Sequence, residues 1–97
     1  MTSKYELALV LNGTLDEEAK AAALEKAQGY ITRFNGTVTN VDDWGLKRFA
    51  YEIQKMKEGF YYFIQFESED PECPNEVEDN LRIMEQVVRY LIVKQEA

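Results

Sequence analysis

The stretch Gly59-Phe60-Tyr61-Tyr62-Phe63-Ile64-Gln65-Phe66-Glu67 constrains this chain more than any other. Side chains alternate along an extended strand. Phe60, Tyr62, Ile64 and Phe66 therefore share one face, and Tyr61, Phe63 and Gln65 share the other. A run that is aromatic on both faces reads as a central strand. The same alternation recurs at Lys4 to Leu11, where Tyr5, Leu7, Leu9 and Leu11 oppose Glu6, Ala8 and Val10. Asn12-Gly13 breaks that strand.

Two segments carry helical spacing instead. Thr14 and Glu17 have capping-box spacing, and Asp16, Glu17 and Glu18 suit the positive end of a helix dipole. Ala23, Ala27, Tyr30, Ile31 and Phe34 then form an apolar stripe, which Asn35-Gly36 ends. A second helix is expected from Asn75 as cap, with Val77, Leu81 and Met84 on one side. Thr37 to Ile53 reads as extended but interrupted, with Asp42-Asp43 and Gly45 marking a bulge or bend. Phe49, Tyr51 and Ile53 fall on one of its faces, and Lys55 to Gly59 reads as a turn. Val87 to Lys94 is a last, β-branched strand. The order βαββαβ predicts an α+β fold of the ferredoxin-like type: a four-stranded antiparallel sheet with two helices on one face.

At 97 residues the expectation is one domain, residues 1–97, with one modest core. No apolar run approaches a membrane span, and no signal-peptide pattern opens the chain, so a cytoplasmic location is expected. The absence of histidine removes the usual general base and rules out Cys-His or Ser-His catalysis and Cys/His zinc sites. Cys73 is the one cysteine, so no internal disulfide forms. It lies between Pro71 and Pro74 in an acidic loop, and neighbouring acids raise a thiol pKa, which argues against a reactive thiolate. That loop has no DxDxDG spacing, so no metal site is expected.

The net charge of −7 argues against nucleic acid, but the charges are segregated. Glu67 to Asp79 holds seven acids and no base; Gly45 to Lys57 holds four bases and one acid. Two stretches bear on RNA. Gly59 to Phe66 resembles the base-stacking strand of RNA-recognition motifs, although Tyr61 replaces a small residue and Gln65 an aromatic. The competing explanation is a strand buried from both sides. Trp44 to Lys55 pairs a flexible Gly45 and the bases Lys47-Arg48 with alternating aromatics. That pattern suits an edge that meets RNA backbone, or an edge strand whose charges block aggregation.

Gly45, Lys47, Arg48, Phe49, Ala50, Tyr51 and Ile53 together resemble the signature of the bacterial small-subunit ribosomal protein S6 family. Tyr5-Glu6, the Asn12 turn, Gly59 before the aromatic strand and Val93-Lys94 extend the resemblance over the whole chain. Phe49 stands where Leu is usual, and Gln54 where a small or basic residue is usual. Thr2-Ser3 replace bases that some relatives carry.

The resemblance implies a ferredoxin-like constituent of the small ribosomal subunit with no enzymatic activity, no cofactor and no small-molecule substrate. Its implied partners are the central domain of small-subunit ribosomal RNA and ribosomal protein S18. On that basis Lys4, Lys47, Arg48, Lys55, Arg89 and Lys94 are the candidate RNA contacts. Trp44, Tyr51, Tyr61 and Phe63 are the candidate partner contacts. The rivals are a ferredoxin-like enzyme of acylphosphatase type and a ligand-binding regulatory domain. The former needs an Arg-bearing phosphate cradle after the first strand, where this chain has Asn12-Gly13-Thr14.

Overall fold

The computed structural model describes residues 2–53 and 56–95, and among these the side chains of all but residues 50–53 and 56. Six elements follow one another: β1 (Ser3–Asn12), α1 (Glu17–Arg33), β2 (Gly36–Ile53), β3 (Met56–Ser68), α2 (Cys73–Arg82) and β4 (Val87–Gln95). The strands form one antiparallel sheet in the order β2-β3-β1-β4. This is the ferredoxin-like arrangement that the alternation and helical spacings predicted.

The aromatic strand is central, as its two apolar faces require. β3 pairs with β1 from Ser3↔Ser68 to Asn12↔Gly59 and with β2 on its other side. Tyr5, Leu7, Leu9 and Leu11 of β1 and Tyr62, Ile64 and Phe66 of β3 are buried beneath the helices. Phe60 is partly buried at the margin of that core. Tyr5 stacks on Phe66 with ring centroids 5.3 Å apart. Ala23, Ala27 and Ile31 of α1 and Cys73, Val77 and Leu81 of α2 close the core from above, with Met84 just past the end of α2. The small alanines let α1 approach the sheet closely.

Both helices start elsewhere than expected. Asp16, not Thr14, caps α1: its carboxylate accepts from the Ala19 N–H at 2.8 Å. The Thr14 hydroxyl is already engaged, donating to Asn12 Oδ1 at 2.8 Å. α2 opens at Cys73 rather than after Asn75, because Pro74 fits the first turn, where its missing N–H satisfies no helical bond. The expected Asn75 cap is thus inside the helix, where its amide donates to Glu72 Oε2. α1 ends at Arg33 with Phe34 as its C-cap, and the expected stop follows at Asn35, which takes the left-handed conformation (φ 71°) that Asn tolerates.

β2 is one strand with register shifts rather than two pieces. Shifts lie between Val38 and Asn40, Asp43 and Gly45, and Arg48 and Ile53. The turn expected over Lys55 to Gly59 is mostly strand: Glu58 and Gly59 pair with Arg48 and Lys47. Gly59 belongs there because a side chain would collide with the Leu11 carbonyl, 2.8 Å from where its Cβ would stand.

Candidate nucleic-acid and partner interface

The helices cover one face of the sheet and leave the other open. Register fixes what that open face carries. β1 contributes Lys4, Glu6, Ala8 and Val10; β3 contributes Tyr61, Phe63, Gln65 and Glu67. β4 adds Arg89, Leu91, Val93 and Gln95, which pair opposite Val10, Ala8, Glu6 and Lys4. Of the candidate partner contacts, Trp44, Tyr61 and Phe63 come together here, and the side chain of Tyr51 lies outside the described residues. Trp44 sets its ring edge-on to Phe63 at 5.0 Å while remaining 57% exposed.

Sequence reasoning missed three members of this surface. Phe49 lies against Tyr61, with ring centroids 6.2 Å apart. It folds over Gly59 beside Val10, which is only 6% exposed although it faces away from the helices. Leu91 and Val93 stand well exposed on the same face. The signal was present in Leu91-Ile92-Val93, an apolar run with no polar face, as a strand with two apolar surroundings requires. A shallow apolar depression lies between Ala8, Tyr61, Arg89 and Leu91.

Across the middle of the face runs a polar ladder. Gln65 donates to Glu6 Oε2 at 2.7 Å, and Asn40 donates to Gln65 Oε1 at 2.9 Å and to Asp42 Oδ1 at 3.1 Å. It joins β1, β3 and β2 and separates the two ends of the sheet.

Those ends differ in charge. One end holds Arg89, Lys47 and Lys57, with Arg48 beside them across from Glu58. Arg48 and Lys47 are exposed, and neither makes an ion pair among the described residues. The opposite end holds Lys4, directly across from Glu67, and Lys94 across from Tyr5. It adjoins the acidic segment, tied down by Ser68, whose hydroxyl donates to the Asn35 carbonyl at 2.8 Å. The ends are separated by eight residues of β1, about 27 Å at the usual strand rise. The six candidate RNA contacts thus divide: Lys47 and Arg89 share one end of the open face from its two outer strands, Arg48 stands at that end on the alternate face, Lys4 and Lys94 lie at the opposite end, and Lys55 lies outside the described residues.

Cys73 is not in a loop but at the start of α2, fully buried. Burial pushes its thiol pKa up; a hydrogen bond with Ser68 opposes this, and Asp70 and Glu76 add to the rise. It stays protonated at neutral pH. Among the described residues no group of three Asp, Glu or Cys side chains converges to hold a cation, and no helix is long and apolar enough to cross a membrane. In the Asn12-Gly13-Thr14 turn, Asn12 Oδ1 accepts from both the N–H and the hydroxyl of Thr14, so the turn is closed on itself.

Fold and face together define a ferredoxin-like protein that presents an open sheet face and charged ends. Comparison with known proteins narrows the class. A sequence model of the family described as Ribosomal protein S6 matches residues 4–94. The chain is 46% identical over 92 residues to the small ribosomal subunit protein bS6 of Clostridium novyi (strain NT), covering 95% of this chain and 96% of that one. It is 45% identical over 93 residues to bS6 of Clostridium botulinum (strain Hall), covering 96% and 98%. The crystal structure of 30S ribosomal protein S6 from Thermotoga maritima superposes with a TM-score of 0.92 at 27% identity, over 98% of this chain and 89% of that one. The chain belongs to the ribosomal protein S6 family. It is a protein of the small ribosomal subunit, a ribonucleoprotein of translation in the cytoplasm.

Proposed function

We propose that residues 1–97 act as one structural unit that contacts small-subunit ribosomal RNA through its basic end and receives ribosomal protein S18 on the open sheet face. The observation that carries this is that Lys47 and Lys57 on β2 and β3 and Arg89 on β4 lie toward the same end of the sheet, opposite the end where β3 runs into Glu67 and Glu69. Bases so placed meet phosphates away from Glu67, Glu69 and Asp70 at the far end of β3. Such contacts position the protein but read no sequence. Lys4 is a weaker candidate, because Glu67 lies directly across from it, and Lys94 sits on the alternate face of the sheet.

The aromatic face suits a protein better than bases. Tyr61 and Phe63 are half-buried, and each already has an aromatic neighbour, Phe49 and Trp44 respectively. Little ring surface is left for stacking. Exposed Trp44, Leu91 and Val93 around a shallow depression are the anchors a protein interface uses. A basic partner is favoured because complementary charge speeds encounter with an acidic chain. The role is structural, with no reaction step.

Filter binding of small-subunit ribosomal RNA in the presence of S18 tests this. Lys47→Ala and Arg89→Ala should each weaken binding and flatten its salt dependence by about one charge. If Lys4→Ala weakens it more than both together, the RNA meets the opposite end.

A further inference from the structure

We infer that the bulge at Asp43–Gly45 is the device that sets the binding face, with Gly45 and Asp43 as its positioning residues. This rests on the proposed RNA contact at the basic end. Asp43 pairs with Tyr62, and Gly45, two residues on, pairs with Tyr61. Trp44 is therefore an extra residue in β2. A one-residue insertion shifts every later side chain to the opposite face. Because of it, Lys47 falls opposite Gly59 and Phe49 reaches Tyr61, both on the open face. Leu46 falls opposite Phe60, on the helix side. Were Trp44 paired as an ordinary strand residue, Leu46 would take the open face, and Lys47 and Phe49 would turn toward the helices.

Two features hold the bulge. Gly45 has φ +74°, a conformation that L side chains rarely adopt. The Asp43 carboxylate accepts from the Gly45 N–H at 2.8 Å, closing the local turn. Nothing lies within 4 Å of where a Cβ on Gly45 would stand. The demand for glycine here is thus one of backbone conformation and not of space. That separates two substitutions: Asn tolerates positive φ, whereas a β-branched residue does not.

The chain has one tryptophan, and it is the inserted residue, so its fluorescence reports the bulge directly. Gly45→Asn should keep the wild-type emission. Gly45→Val should change it as Trp44 leaves Phe63, while circular dichroism still shows a folded chain. With S18 present, the slope of log affinity for small-subunit ribosomal RNA against log salt should be unchanged in Gly45→Asn. In Gly45→Val it should flatten by about one, with affinity several-fold lower, as Lys47 leaves the face. Asp43→Ala should follow Gly45→Val, and Asp43→Asn, which keeps an acceptor oxygen, should follow wild type. This pair decides the matter if Gly45→Val does not fold. Wild-type emission and slope in Gly45→Val or Asp43→Ala would overturn the inference. If the wild-type chain itself shows no salt-dependent RNA binding, the RNA reading fails, and the emission arm alone still decides whether the bulge positions Trp44.

Discussion

Individual residues divide into those whose neighbourhood is local and those set by distant pairing. The core side chains Leu7, Leu9, Tyr62 and Ile64 were legible because alternation alone separates the two faces of a strand. Tyr62 is 2% exposed in the centre of the core. Tyr62→Ala should therefore cost about 3–5 kcal/mol in chemical denaturation. A loss under about 1 kcal/mol would mean that the strand faces the other way. The environment of Cys73 was half legible. Adjacent acids gave the direction of its shift, but its burial against the sheet, the larger cause, depends on where α2 packs. The folded state holds the Cys73 proton more tightly than the unfolded chain, and the same is true of Tyr62, raised first by burial and then by Asp43. Their contribution to stability is therefore fully present below the ordinary thiol range and should fall as pH rises past about 8.5. Cys73→Val should flatten the fall between about pH 8.5 and 10. An identical pH profile in that variant would remove Cys73 from the account.

At the scale of elements, all six were legible from period-two and period-3.6 patterns, but their ends were not. Thr14 and Asp16 both offer an oxygen to a helix start, and only the engagement of the Thr14 hydroxyl with Asn12 decides between them. Asp16→Ala should destabilise by roughly 1 kcal/mol, and Thr14→Ala by clearly less, in thermal or urea melts. The reverse order would restore the capping box that the sequence suggested. In β2 the bulge at Gly45 announced itself through Asp-Asp and Gly, whereas the shift at Thr39 has no glycine or proline to mark it. Thr39 instead donates its hydroxyl to the Gln65 carbonyl. The length of the β2–β3 arm was hidden too, because Gly59 reads as a turn residue until the crowding against Leu11 is visible.

For the whole molecule, charge segregation along the chain was plain, but its place in space depended on register. Lys4 and Lys94 are remote from the acidic block in sequence, yet antiparallel pairing brings them to its end of the sheet. Arg89 is far from Lys47 in sequence and shares an end with it through β1 and β3. The chain has 11 basic against 18 acidic residues and few bases at the proposed RNA end, so the proposed contact implies a weak grip on RNA by the chain alone. On that proposal, tight binding is made jointly with a basic partner, and the coupling between partner and RNA would be reciprocal. The most direct test is a filter-binding titration of small-subunit ribosomal RNA across a salt series, with the chain alone and with S18. Alone, the chain should bind weakly at physiological salt, with log affinity falling against log salt at a slope of about −2 to −4, as for roughly three or four phosphates. S18 should tighten binding and steepen the slope. Tight binding by the chain alone, insensitive to salt, would contradict the cooperative account and favour base stacking on Tyr61 and Phe63.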